Sequence, residues 1–325
     1  MIPFPLNYPY TFFYGYARAA LSAGLDLLPD KSCEVLVPAF ICDSVLKVLR
    51  YKHIKYDVYN LTEYLEPDIS DINKNIRKNT KAIIVVNYFG FSKITNEIRD
   101  YCKNKELILI EDNAHGFLSK INDKYLGSSG DISIFSFRKS VRIPNGAALV
   151  VNDKELINNK NKIYKFNKNE RGLRYTIKKI SCLTEFYTGF EFNVLKKIKR
   201  NVMDVSEKDN IENYLVDISK SSTSLLSKIN NKFPQIAVNR ITKYHSLIKY
   251  CQDKYKLSAL FPDLDTGICP YGIPFLSDER ESIVKELNSI GIKSGVWPNR
   301  PDKIDGFSTL VQKLYNKLFL IYLGY

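Results

Sequence analysis

Apolar positions cluster along the first half of the chain in short runs of strand length, separated by stretches with helical spacing. Tyr16 to Leu28 places Ala20, Leu21, Leu25 and Leu28 on one side of a helix. Asp30-Lys31-Ser32 breaks that pattern. Val35-Leu36-Val37 then reads as a strand ending at Pro38-Ala39-Phe40, followed by a helix from Ser44 to Tyr51. Ile54 to Tyr59 is the next strand, and the residues after Pro67 form a helix to about Arg77. Lys81 to Phe89 is continuously apolar at its heart, the mark of a strand covered on both faces. Gly90 ends it, and a helix from about Ile94 to Lys103 leads to three further runs: Leu107 to Ile110, Ile132 to Phe137, and Ala147 to Val151. Strands alternating with helices imply βαβ units, so the fold class is α/β with a mostly parallel central sheet.

The ends of the chain read differently. Residues 1 to 14 are rich in proline and aromatics and are expected to pack as an irregular arm. From about Lys154 to Lys232 the sequence turns polar and lysine-rich, a helical linker with a long basic helix expected around Ile177 to Lys199. Asn239 to Tyr255 is another helix. Ile268 to Leu276 (strand), Asp278 to Ile290 (helix) and Lys293 to Trp297 (strand) then suggest a small C-terminal α+β domain. The expected division is 1–232 for the large domain and 233–325 for the small one.

A chain of 325 residues supports one large domain and a smaller one. No apolar run approaches the roughly 20 residues of a membrane span. The Met1-Ile2-Pro3-Phe4-Pro5 start lacks the basic and apolar regions of a signal peptide, so a cytoplasmic protein is expected. Six cysteines stand without a C-x-x-C pair beside only three histidines, which favours free thiols over a zinc site and gives no metal centre. The net charge of +13 changes the picture little. A solvated basic surface accounts for it, with phosphate-bearing small molecules next as an attracted partner. No nucleic-acid motif is recognisable.

The candidate chemistry lies between Leu107 and Asp153. Asp112 and Lys139 each follow an apolar run, at strand ends where open α/β sheets bind ligands. Taken singly, Asp112 could be a helix cap and Lys139 a solvated lysine. A lysine at the mouth of an apolar pocket has a depressed pKa and can serve as a nucleophilic amine. Together, lysine and aspartate at neighbouring strand ends suit pyridoxal phosphate, the lysine forming a Schiff base and the aspartate holding the ring nitrogen.

The ordered motifs Val37-Pro38-Ala39-Phe40, Asn87-Tyr88-Phe89-Gly90, Glu111-Asp112-Asn113-Ala114-His115-Gly116, Gly127 to Asp131, Ser136-Phe137-Arg138-Lys139 and Gly146 to Val150 resemble the DegT/DnrJ/EryC1/StrS aminotransferases. The resemblance covers residues 15 to 153 and, more loosely, Gly291 to Pro298. It implies a fold type I pyridoxal phosphate transferase, a homodimer, and transfer of an amino group from an amino acid, glutamate foremost, to a keto sugar. That sugar would be linked to a nucleotide and destined for surface polysaccharide. Lys139 then corresponds to the Schiff-base lysine, Asp112 to the partner of the pyridinium, His115 to the residue beside the phenolic oxygen, and Ser136 to a phosphate contact.

The resemblance departs from the family pattern at several points, among them Gly146-Ala147 in place of a glycine pair. Tyr16-Ala17-Arg18 stands where the family has a Ser-Gly-Thr turn, so Ala17 and Arg18 at a helix N-terminus become the phosphate candidates. Phe40 is the aromatic nearest the ring-stacking position, where stacking and core packing account for it equally. Lys139 follows Ser136 by only three residues, a shortened loop. The family's later Asn-Tyr-Arg motif is not recognisable, and the C-terminal part is expected to be shortened. Arg138 and Arg142 are candidates for substrate carboxylate or phosphate, or ordinary surface charges. Two other readings remain open. One is a pyridoxamine-dependent sugar dehydratase, against which Lys139 argues because those relatives carry histidine there. The other is a catalytically silent relative acting as a binding or regulatory subunit.

Overall fold

A computed structural model describes residues 2–30, 32–188, 210–298, 301 and 308–324. The parallel strands expected from the apolar runs are β2 (Glu34–Pro38), β3 (Lys55–Tyr59), β4 (Thr80–Val86), β5 (Ile108–Asn113) and β8 (Ile132–Ser136). With β1 (Thr11–Tyr14) and β9 (Ala147–Val151) they form a seven-stranded sheet in the order β1-β9-β8-β5-β4-β2-β3. Only the pairings of β8 with β9 and of β1 with β9 are antiparallel. A two-residue hairpin, β6 (Lys120–Ile121) and β7 (Lys124–Tyr125), lies between β5 and β8.

Helices cover the sheet because their apolar stripes need it. α1 (Ala17–Leu25) buries every residue from Ala19 onward, which its alanines and lone glycine permit by letting it press close to the strands. A Cβ on Gly24 would stand 3.1 Å from the Leu149 side chain and 3.3 Å from that of Ile132. α2 (Asp43–Tyr51) buries Val45, Leu46, Val48 and Leu49 and exposes an Asp43–Arg50 ion pair of 2.7 Å. α3 (Ile69–Asn75) starts at Asp68, whose carboxylate accepts the amides of Ser70 and Asp71; α4 (Asn96–Asn104) starts at Thr95, which accepts from Ile98.

Four expectations change. The N-terminal arm is irregular only to Tyr10: Thr11–Tyr14 pairs in register with Val150–Ala147, occupying an edge of β9 that would otherwise be open. The strand expected to Phe89 stops at Val86, because Phe89 (φ 58) and Gly90 (φ 97) turn left-handed and fold Tyr88–Gly90 into a 3-10 turn. In the lysine-rich stretch, α5 (Lys154–Asn158) and α6 (Leu173–Thr188) are present; the rest of the expected basic helix lies outside the described residues. Finally, the C-terminal sheet has three antiparallel strands in the order β10 (Gly272–Leu276), β12 (Leu318–Tyr322), β11 (Ser294–Val296). The expected strand–helix–strand is there, around the helix Arg280–Ser289. β12, preceded by the helix Thr309–Lys317, inserts between its two strands. Among the described residues, no helix is long and apolar enough to cross a membrane.

Candidate active site

Register decides which side chains meet. β4 pairs with β5 so that Ile84 is opposite Ile110 and Val86 opposite Asp112; β5 pairs with β8 so that Asp112 is opposite Ile134. Alternate residues of a strand share a face. Ile84, Val86, Ile110, Asp112, Ile134 and Ser136 accordingly form the floor of one cavity of about 330 Å³. That volume is at the small end of the ~300–1,000 Å³ typical of ligand sites.

Glu111, next to Asp112, faces the other side of the sheet. Its carboxylate, 1% exposed, accepts the amides of Gly127 (3.0 Å), Ser129 (2.9 Å) and Gly130. It also accepts from the side-chain amides of Asn87 (3.1 Å) and Asn113 (3.2 Å). Two adjacent carboxylates thus have different work. Glu111 anchors the turn that leads into β8, and Asp112 is presented to the cavity.

Of the residues singled out in the sequence, Ala17, Arg18, Asp112, His115, Ser136 and Lys139 line this cavity, and so does Arg138. Phe40 does not. Its ring is fully buried among Tyr88, Trp297 and Tyr315, with centroid separations of 5.5, 5.5 and 5.1 Å; core packing, not ring stacking, accounts for it. Arg142 is also outside the lining, paired with Glu185 at 2.5 Å and donating to Ser181 at 3.0 Å. The shortened loop still delivers its lysine: the Lys139 amine stands 2.9 Å from Nε2 of His115.

The histidine's surroundings constrain that contact. Its Nδ1 accepts the amide of Phe89 at 3.3 Å, so the neutral ring carries its proton on Nε2. A proton on Nε2 can only be donated to Lys139 if the amine is unprotonated. Burial shifts both groups in the same direction. Burial, aided by the neighbouring lysine charge, holds the His115 imidazole well below its ordinary range. Burial likewise lowers Lys139, against Cys42 and Asp112, which favour its charged form, and together with Arg138 and Arg18, which oppose it. Asp112 moves the other way, raised by burial and partly restored by Lys139 and by the Ala114 amide that it accepts at 2.9 Å.

Opposite the floor, α1 presents its N-terminus. Tyr16 at its cap has no side-chain capping bond, and no acidic residue lies in the first turn. The positive end of the helix therefore faces the cavity with no anion in its own first turn. Arg18 lies 3.4 Å over the Tyr214 ring and Arg138 4.6 Å over Tyr16, two stacked cations at one corner. The Tyr16 hydroxyl donates to Glu170 at 2.5 Å, which anchors that corner.

Tyr271, Trp297 and Cys42 are among the lining residues that were not singled out in the sequence. Tyr271 stacks on His115 with centroids 4.4 Å apart and planes 8° from parallel. Trp297 meets the same imidazole edge-on at 5.2 Å. Cys42 lines the wall ahead of α2. Tyr271 comes from the C-terminal sheet region and carries no local motif; Trp297, the single tryptophan of the chain, was a readable signal.

Residues 17–196 match the model of the DegT/DnrJ/EryC1/StrS aminotransferase family. The chain is 36% identical over 128 residues to GDP-perosamine synthase of Escherichia coli O157:H7, a stretch covering 38% of this chain and 35% of that protein. It is 32% identical over 133 residues to a UDP-4-amino-4,6-dideoxy-N-acetyl-beta-L-altrosamine transaminase of Campylobacter jejuni, covering 37% and 34%. The matched stretch thus spans about a third of the curated relatives. In fold, the chain is similar to Helicobacter pylori PseC, an aminotransferase involved in the biosynthesis of pseudoaminic acid. The TM-score is 0.68 at 17% identity, over 96% of this chain and 81% of that one.

Proposed function

This chain belongs to the DegT/DnrJ/EryC1/StrS aminotransferase family, and from that premise we propose that it is a pyridoxal phosphate-dependent transaminase. The observation that carries the reading is the convergence of the Lys139 amine, 2.9 Å from His115, and the Asp112 carboxylate on one cavity.

The residues fit the cofactor. Asp112 offers an anion for a ring nitrogen. The α1 N-terminus, with Ala17, Arg18 and the Ser136 hydroxyl, offers amides, a guanidinium and a donor for a phosphate dianion. His115 offers an Nε2 proton for the phenolic oxygen once the lysine amine is engaged elsewhere. Bound there, pyridoxal phosphate supplies an electron sink, so an amino group can leave one carbon and be installed on another without an external oxidant. Lys139 would hold the cofactor through its amine and would be placed to move a proton to and from the reacting carbon. Tyr271 and Trp297 hold the imidazole plane. Arg138, stacked on Tyr16 at the cavity corner, is the handle for a substrate anion.

For substrates we infer an amino acid, glutamate foremost, as donor and a nucleotide-linked keto sugar as acceptor. The names of the relatives support a nucleotide-linked sugar. The working unit is a homodimer, as the family resemblance implies, to be checked by sedimentation. A sugar dehydratase is disfavoured by Lys139 itself. A silent relative is disfavoured by the lysine's place in the cavity despite its compact loop.

The test is an absorption spectrum of the purified chain with pyridoxal phosphate, before and after borohydride, beside Lys139→Ala. A visible band fixed by borohydride onto the peptide containing Lys139, and absent from the variant, supports the reading. An unchanged band in the variant overturns it.

A further inference from the structure

The turn that carries Lys139 is held from beneath by a buried arginine. Lys139 closes a single 3-10 turn, Phe137–Lys139, after which the chain departs toward Pro144. Carbonyls at the end of such a turn lack partners within it. The Phe137 carbonyl is used by the amides of Ser140 (2.9 Å) and Val141 (2.7 Å). Those of Lys139 and Ser140 are taken by Arg240, whose Nη2 donates to them at 3.0 and 3.2 Å. Its Nε donates to the Gly324 carbonyl just after β12, at 3.0 Å, and its Nη1 faces Sγ of Cys269 at 3.9 Å.

Arg240 comes from the long helix Phe233–Tyr255 and is 1% exposed. Arginine is almost never buried to that degree unless it is paired. Here its hydrogen-bond partners are three backbone carbonyls and a thiol, all neutral. The guanidinium is neutralised by carbonyl dipoles, in the way that a cation is favoured at the C-terminal end of a helical turn. Its planar fork reaches two consecutive carbonyls and a third in another segment, which a lysine ammonium on a flexible stem could not reproduce.

We infer that Arg240 is a positioning residue: it fixes the backbone on which Lys139 is mounted, and ties that backbone to the segment after the last strand, so that the amine meets Nε2 of His115. The inference rests on the reading of Lys139 as the reactive amine. Without Arg240, the Lys139 and Ser140 carbonyls lose their donor. The one-turn element then has nothing to hold its end, and the amine drifts from the imidazole into wetter surroundings.

The experiment compares wild type, Arg240→Lys and Arg240→Met, each first checked for fold by circular dichroism and thermal melting. Cofactor-free protein is acylated with a small amine-reactive ester across a pH series, and labelling of Lys139 is followed by peptide mass spectrometry, with exposed Lys285 as internal control. In Arg240→Met the midpoint of Lys139 labelling moves up toward that of an ordinary lysine, Arg240→Lys lies between, and Lys285 is unmoved. In a second arm, the rate at which pyridoxal phosphate becomes borohydride-fixable on Lys139 falls by on the order of 10²-fold in the Met variant, as for a misplacement of about 1 Å. A purely structural role would lower the melting temperature and leave the midpoint alone.

Folded Arg240→Met with the wild-type midpoint and attachment rate overturns the inference. If the Met variant does not fold, Arg240→Lys decides by the same two readouts. If wild type takes up no pyridoxal phosphate, the cofactor reading fails, while the labelling arm still decides the role of Arg240.

Discussion

Nζ of Lys139 lies 2.9 Å from Nε2 of His115, and the other nitrogen of that ring is already committed to the amide of Phe89. One backbone amide thereby sets the tautomer of the histidine, and burial favours the neutral form of the lysine beside it. A lowered lysine pKa makes the amine a better nucleophile toward a carbonyl.

That arrangement costs stability, with a definite sign. Burial lowers both the Lys139 and His115 pKa values in the folded chain, so the unfolded chain binds the extra protons. Stability therefore falls as pH falls, from 10.5 downward for Lys139 and from 6.5 downward for His115, until each folded-state pKa is passed. Each group contributes a slope of at most about 1.4 kcal/mol per pH unit within its window. Lys139→Met is expected to melt at a higher temperature than wild type at pH 7, with the gain shrinking toward pH 10. Calorimetry of cofactor-free protein at both pH values measures this; a gain that grows with pH would contradict a lysine pKa lowered by burial.

Asp112→Asn keeps the shape and the Ala114 bond but removes the anion facing the cavity. Covalent attachment of pyridoxal phosphate to Lys139 should persist. Amino transfer should fall on the order of 10³-fold, the scale of losing one preorganised electrostatic partner. Single-turnover measurements with glutamate separate the two. Loss of attachment with intact transfer chemistry would argue against the pairing.

Phe40 provides a test of core packing against cofactor contact. Phe40→Ala should cost about 3–5 kcal/mol in denaturant unfolding, as for a buried aromatic truncated in a packed core. Phe40→Leu should cost less and leave the absorption of the bound cofactor unchanged, because the ring does not line the cavity.

Glu111→Gln replaces a carboxylate that accepts five donors with a group that must turn two N–H bonds toward some of them. A loss of about 3 kcal/mol is expected from the donors left unpaired. Since Glu111 points away from the cavity, the melting temperature should fall while the borohydride-fixed fraction at low temperature stays at the wild-type level.

Several departures from the sequence reading share one cause: the deciding partner is remote in the chain. The aromatic, proline-flanked arm shows no alternation, and Thr11–Tyr14 becomes a strand only because β9 presents an unpaired edge. β12 carries no local sign of its place as the middle strand, which depends on β10 and β11 flanking it. Tyr271 reaches His115 across nearly half the chain. Arg240 offered a local sign: it shares a helix face with buried Tyr244 and Cys251, and a charge on such a face asks for a reason.

By itself the sequence determined the α/β alternation, the placing of Asp112 and Lys139 at strand ends, and the family, because these depend on local periodicity and on residue order. Tertiary structure decided that Glu111 and Asp112 face opposite ways, since strand register sets the face. It decided that Phe40 belongs to the core, and that the shortened lysine loop still brings Nζ to His115. It also decided that the lysine is mounted on a buried arginine about a hundred residues away. Contacts of this kind arise from packing elements that no local pattern relates, so they became visible only when the chain was folded.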